Sequence, residues 1–201
     1  MNSLIRLLLR FVYEKRRYLF YGYDPGQGAG QPDAHITVYN RWEEIPRAFR
    51  RMAAAAPWRN AMYYRMRRGG ARLLCYSTDG ARLEAYGWVQ DWRPFRRRFG
   101  AVATEGTMLG FYWTAPEARG RGLYGRLLAH SLIVCDRTRP VLIVTSPENK
   151  ASQRGIEKAG FKPLGEWEAR VWFRCYSRMR RVSDGLRGAL CGDAAREKPA
   201  V

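Results

Sequence analysis

The sequence predicts an α/β domain built on a central mixed β-sheet flanked by helices. Three observations carry this. Strand-like runs stand both before and between helical segments, so the sheet is part antiparallel and part parallel. Two β-type runs flank the turn Thr78-Asp79-Gly80 as a hairpin. A hydrophobic strand over 107–114 leads through a glycine-rich turn directly into a helix.

The elements follow in order. Residues 1–23 read as an extra, basic amphipathic N-terminal helix. Leu4, Leu8 and Phe11 share a stripe with Ile5, Leu9 and Val12 beside it, while Arg6, Arg10, Tyr13 and Arg17 fall on another. Such a helix either docks its apolar face on the domain or lies on an anionic membrane surface through residues 1–20. It is no signal peptide, because arginines break the apolar stretch and no small-residue cleavage site follows. Residues 24–33 hold two prolines and three glycines, which marks a linker loop.

The domain proper spans 34–182. His35–Tyr39 is a short strand. Ile45–Ala55 and Trp58–Arg68 are helices. Arg72–Ser77 and Arg82–Trp88 form the hairpin, and 93–98 is a basic turn. Strand Thr107–Thr114, helix Gly122–Cys135, strand Val141–Thr145 and helix Lys150–Ala159 come next, and Gly165–Tyr176 supplies one or two last strands. Beyond Val182 the composition turns to Ser, Asp, Gly, Ala and Lys, so 183–201 reads as a flexible tail.

Composition removes several classes. With 46% hydrophobic and 13% aromatic residues, the 201-residue chain has enough apolar material for a core and is not disordered overall. No apolar run reaches the ~20 residues that span a bilayer. Cys75, Cys135, Cys175 and Cys191 lie far apart without a CxxC pair. That argues against a thiol-rich metal site and for a reducing, cytoplasmic location, with the inner membrane face as the variant that residues 1–20 suggest. The net charge of +18 attracts polyanions. Only five of the 36 basic residues are lysine, a bias that GC-rich coding also produces, so the charge says little about the partner. The arginines are spread along the chain and no nucleic-acid motif occurs, which disfavours a nucleic-acid module.

The most informative stretch runs from Thr114 through Arg126. A helix that starts inside a glycine-rich turn offers free amides to a phosphate or diphosphate, and Arg119, Arg121 and Arg126 add positive charge. A tight turn needing glycine only for its backbone angles is the bland alternative. Gly120-x-Gly122-x-x-Gly125 matches the dinucleotide fingerprint, but it sits past mid-chain after an antiparallel hairpin. Asp136 also falls before the next strand rather than after it, so a nicotinamide site is disfavoured.

Pro116 followed by Arg119-x-x-Gly122-x-Tyr124 resembles the acetyl-CoA-binding turn of the GNAT N-acetyltransferase superfamily. The resemblance continues with Asn149 opening a helix, Ser152 three residues on, and Gly160-Phe161 at the helix end, and it covers about 104–175. It implies a GNAT-like acyl-CoA N-acyltransferase fold. In that fold, backbone groups near Tyr112 and Thr114 run beside the pantetheine arm. Amides of Arg119, Gly120, Arg121, Gly122, Leu123 and Tyr124 hold the diphosphate, and Asn149 and Ser152 face the CoA arm. Strands 107–114 and 141–145 would splay around the thioester of acetyl-CoA, with no metal involved.

Two positions depart from the family. Tyr124 replaces the last Gly or Ala of the turn. Ile156 stands where the family often carries the tyrosine that protonates the departing thiolate, so another group, with Tyr124 as the candidate, or water does this, or the chain is not a catalyst. Candidate bases are Glu105, where the family often places a carboxylate, and Glu84 in the preceding strand; an arginine partner is the competing role for each. His130 reads as packed or surface, and His35 is unplaced. Trp88, Trp92, Trp113, Tyr112, Phe111 and Tyr86 are core aromatics by default, some of them able to wall an acceptor cleft. The Arg93–Arg98 turn either meets a phosphate on an acceptor or is a solvated loop. Three functions remain: an acetyl-CoA-dependent N-acetyltransferase acting on an amine of a small molecule or glycoconjugate such as an amino sugar; a non-catalytic membrane-associated accessory protein; and a basic nucleic-acid-binding protein.

Overall fold

A computed structural model describes residues 13–24, 28, 30–53, 59–172, 175–176 and 179–184. The first half of the expected N-terminal helix, residues 1–12, and the expected tail over 185–201 lie outside the described residues, as do 25–27 and 29 of the linker.

The described chain is one mixed sheet of nine strands with helices on both faces. The strands are β1 Tyr13–Tyr23, β2 Ile36–Tyr39, β3 Ala71–Tyr76, β4 Ala85–Asp91, β5 Thr107–Thr114, β6 Val141–Thr145, β7 Lys162–Trp172, β8 Cys175–Tyr176 and β9 Arg180–Asp184. The helices are α1 Arg47–Ala53, α2 Arg59–Arg67, a single turn α3 Arg96–Phe99, α4 Leu123–Val134 and α5 Lys150–Lys158. Spatial order is β2-β3-β4-β5-β6-β1-β7-β8, with β9 also paired to β7. Among the described residues only β5 and β6 run parallel; every other pairing is antiparallel.

One expectation is overturned. Residues 13–23 are not the end of a helix but an interior strand, with Leu19–Tyr23 on β6 and Tyr13–Gly22 on β7. Tyr13 and Arg17, two members of the expected helical stripe, lie on this strand, and the other two, Arg6 and Arg10, fall outside the described residues. From Tyr13 the exposure alternates as in a half-buried strand, and Phe20 to Tyr23 are buried because both faces are covered there. Lys15 and Arg17 reach Glu168 and Glu166 across the strand pair, so these charges serve the sheet rather than a lipid surface. The domain therefore begins before residue 34. It also extends past Val182, because β9 occupies Arg180–Asp184. The basic turn at 93–98 is a 3-10 turn Arg93–Phe95 running into α3, anchored by buried Phe95 and Phe99.

Strand alternation divides the core between the two faces. Leu74, Tyr76, Val89 and Leu109 point to the face covered by α4 and α5, where Leu123, Leu127, Leu128 and Leu132 repeat at helical spacing and Ile156 is fully buried. Leu73, Cys75 and Trp88 point the other way, against Phe49 of α1 and Met62 and Met66 of α2. Beside them Phe20, Trp92, Phe99, Met108 and Trp167 form an aromatic cluster under α3. Among the described residues, no helix is long and apolar enough to cross a membrane.

Candidate active site

Strand β5 is paired on both edges only over its first half. Thr107, Met108 and Leu109 register with Val141, Leu142 and Ile143, and from Gly110 onward no residue of β5 is paired with β6. Strand β6 stays in the sheet because Leu19 and Phe20 hold Thr145 and Val144 from its other side. The parting has a local cause on the opposite edge of β5. Between Trp88↔Gly110 and Tyr86↔Trp113, β5 inserts an extra residue, so Phe111 and Tyr112 together face Gly87. Phe111 takes φ 53°, which non-glycine residues rarely adopt and which bends the strand. The Tyr112 ring lies over Gly87 in the volume a Cβ would fill, and its hydroxyl pairs with Ser131 Oγ of α4 at 2.8 Å. Burial pushes that phenol well above its usual range.

The parted strands open into a cleft of about 870 Å³. Its walls are β5 from Gly110 to Thr114, the C-terminal part of β6 from Ile143 to Thr145, the turn around Arg119 to Tyr124, and the start of α5 at Asn149, Ala151 and Ser152. In the turn, Gly120 and Gly122 have φ 80° and 74°, and a Cβ added at Gly120, Gly122 or Gly125 would meet nothing within 4 Å. Gly122 is the N-cap of α4 and no side chain caps the helix. First-turn amides have no partner within a helix, and alternating left-handed residues turn successive N–H groups toward one point. The result is an open, uncapped, glycine-lined cradle with the positive end of a 12-residue helix behind it. This arrangement fits a diphosphate. At α5, Asn149 Oδ1 accepts the Ser152 amide at 3.1 Å, which is why the helix begins there.

Of the residues singled out in the sequence, Tyr112, Thr114, Arg119, Gly120, Gly122, Leu123, Tyr124, Asn149 and Ser152 come together on this cleft. Arg121 does not line it. Its guanidinium is bound to Glu84, which also accepts from the Thr78 amide at 3.0 Å and hydroxyl at 2.9 Å. Burial pushes the Glu84 carboxyl up, but the hydrogen bonds from Arg121 and Thr78 outweigh it and hold the group below its usual range. Glu84 is thus a fixed anion that ties the turn to β4, and a poor base. Glu105 is exposed ahead of β5, seven residues before Tyr112 and so about 23 Å away along an extended strand. Neither carboxylate lines the cleft. Arg126 leaves the turn as well, bonding Asp33 Oδ2 at 2.6 Å and the Tyr76 hydroxyl at 2.8 Å. His130 is buried, its Nδ1 accepts the Asp33 amide at 3.2 Å, and burial lowers its pKa.

Tyr124 has the most specific setting. It is the second residue of α4, it packs edge-on against Tyr112 with centroids 5.3 Å apart, and it hydrogen-bonds Ser152. Burial pushes its phenol up to about 12, with the Ser152 bond pulling the other way. Its ring occupies the space above Gly155, where a Cβ would come within 2.6 Å. Sequence reading missed this partner, although a glycine in mid-helix signals close approach. It also missed the bulge, for which Gly87 and Gly110 in facing strands were the available sign. Trp113 stacks on Tyr86 at 5.6 Å, and Phe111 stays 44% exposed at the mouth, whereas Trp88 and Trp92 are core.

No family model matches this sequence, and no curated protein does. Solved structures do. A GNAT-family protein from Novosphingobium aromaticivorans superposes with TM-score 0.56 at 21% identity, over 77% of this chain and 63% of that one. A GNAT-family acetyltransferase from Colwellia psychrerythraea gives 0.54 at 21%, over 82% and 59%. A GCN5-related N-acetyltransferase from Sphaerobacter thermophilus gives 0.54 at 16%, over 86% and 57%. The chain spans about three-fifths of these neighbours' lengths. With its parted β5 and β6 and its glycine turn, the chain has the fold of the GNAT acetyltransferases.

Proposed function

We propose that this chain is an acetyl-CoA-dependent N-acetyltransferase that moves the acetyl group to an amine by direct attack in a ternary complex. The observation that carries the reading is the convergence on one cleft of two separate features, an uncapped glycine cradle and a pair of strands parted at a bulge. A cradle without the parting would bind phosphate alone. The two together accommodate a diphosphate attached to a long arm whose end reaches between the strands.

Bound acetyl-CoA supplies an activated thioester. The amides from Arg119 to Tyr124 bind its diphosphate, with Arg119 exposed beside them. Backbone groups of Tyr112 and Thr114 align the arm, and Asn149 and Ser152 border it. A backbone amide near Tyr112 or Trp113, freed from sheet pairing by the bulge, donates to the carbonyl oxygen as negative charge develops there. Tyr124 donates a proton to the departing thiolate. It stands in for the donor that Ile156 cannot be, since that position is buried in the core. Among the described residues no carboxylate or imidazole lines the cleft, which favours water as the acceptor of the amine's proton. Holding the reactants together supplies most of the acceleration, and effective molarity is worth ~7 kcal/mol or more. The acceptor is an amine on a small molecule or glycoconjugate, with Trp113 and Phe111 at the mouth available to stack on a sugar ring.

Two measurements test this. Calorimetry with acetyl-CoA should give saturable 1:1 binding, and thiol release on a panel of amines, amino sugars included, should identify turnover. Binding without release on any amine would leave a cofactor-binding protein and remove the enzyme.

A further inference from the structure

Four arginines from separate stretches of the sequence, Arg65, Arg68, Arg93 and Arg139, are brought by the fold to one end of the sheet. This is the zipped end, where β3, β5 and β6 begin and β4 finishes. Arg65 and Arg68 close α2, Arg93 opens the turn after β4, and Arg139 precedes β6. Between α2 and that turn lies a second cavity, of about 500 Å³, within the range of small-molecule sites. It shares no lining residue with the cleft and sits on the opposite face of the sheet, under α2 rather than α4.

Its chemistry is short of acceptors. Arg65 is half-buried, its guanidinium donates to Gln90 Oε1 and lies over the Phe95 ring at 4.9 Å, and no carboxylate pairs with it among the described residues. Arg68 has no ion pair among the described residues either. The single carboxylate of the lining, Asp91, is shared by Arg93 at 3.1 Å and Arg139 at 3.5 Å. Behind the lining, Gln90 is 1% exposed and accepts from Arg65 through its oxygen. The lining thus holds three arginines, Arg65, Arg68 and Arg93, against the one carboxylate of Asp91, which leaves an uncompensated positive field. The uncharged wall is Tyr64, 59% exposed, with Ala61 and Pro94.

We propose that this cavity binds the phosphate group of a small phosphate ester, gripped by Arg65, Arg68 and Arg93, with its organic part against Tyr64 and Pro94. Arginine forks match phosphate oxygens in pairs, and a dianion answers the surplus charge. The site is independent of the acetyl-CoA reading.

Phenyl phosphate, with phenol and inorganic phosphate as controls, tests the proposal by calorimetry on the full chain. Phenyl phosphate is expected to bind saturably and more weakly as salt rises, and phenol is expected not to bind. Arg68→Glu and Arg65→Gln should each weaken binding by about tenfold or more, while Gly122→Asp leaves it unchanged. Circular dichroism checks that each variant is folded; should Arg65→Gln fail, the exposed Arg68→Glu carries the test. The proposal is overturned if phenyl phosphate does not bind. It is equally overturned if the folded arginine variants bind it as tightly as the parent, or if Gly122→Asp or added acetyl-CoA removes the binding, which would place it in the cleft.

Discussion

Two pairs of glycines, one lining the cleft and one behind its aromatic wall, differ in what occupies the space a Cβ would take. Above Gly120 and Gly122 there is open room, and both hold positive φ. Above Gly87 and Gly155 that room is already filled, by the rings of Tyr112 and Tyr124. The first pair leaves the cleft open, as the proposed cofactor site requires; the second keeps space for the protein's own aromatics, which then form the cleft wall. A side chain added to the first pair should damage binding and spare the fold. Added to the second, it should disturb packing first and function through it.

Gly122→Asp is the sharpest way to break this contrast. It adds a negative charge where a diphosphate is to sit and forces a side chain into a left-handed position. Acetyl-CoA affinity should fall by about a hundredfold or more, ~2.7 kcal/mol, with the far-ultraviolet dichroism preserved. Unchanged affinity would remove the cradle from the cofactor site. Tyr124→Phe keeps the ring over Gly155 and deletes only the hydroxyl. The catalytic constant should drop by about a hundredfold, as for loss of a general acid, while acetyl-CoA affinity holds; equal turnover in steady-state kinetics would leave protonation to water.

Gly87→Ala should act on stability instead. The new methyl overlaps the Tyr112 ring, and overpacking of this kind costs about 1–3 kcal/mol, readable as a lower midpoint of thermal unfolding. Gly155→Ala is expected to do both, displacing the Tyr124 ring and lowering turnover together with the melting midpoint. Glu84→Gln has the smallest effect, loosening Arg121 and costing a few-fold in acetyl-CoA affinity by analogy with a single weakened charged hydrogen bond. Its pH signature has a definite sign. The folded carboxyl titrates below the unfolded value of ~4.3, so it contributes stability above that pH, and the contribution is lost as pH falls through the folded value. Acid unfolding of Glu84→Gln should therefore lack part of that limb. Turnover of either form should rise with pH along the acceptor amine's own titration, because Tyr124 stays protonated until about pH 12.

Much of this molecule was legible in its residues. The expected strands at 107–114 and 141–145 match β5 and β6 end for end, and the helix starts at Leu123 and Lys150 lie within a residue of expectation. These elements carry local signals: a continuous apolar run, a glycine turn, an Asn cap. Residues 13–23 carried a misleading one. Their strand character comes from pairing with β6 and β7, more than a hundred residues away, and overrides a weak local helical stripe.

The same division holds at the site. The sequence by itself placed a glycine-rich turn between the end of a strand and the start of a helix, since missing side-chain bulk is a property of the residues present; its positive φ values and uncapped helix start are features of the folded chain. The sequence also named most of the residues that line the cleft. Tertiary structure alone decided which charges were spent elsewhere: Glu84 on Arg121, Asp33 on Arg126. The family resemblance implied that β5 would part from β6, but tertiary structure decided that the parting begins after Leu109 and that Arg65, Arg68, Arg93 and Arg139 meet at the opposite end. Charge pairing and strand separation are relations between segments distant in the chain, and composition and spacing do not encode which segments will meet.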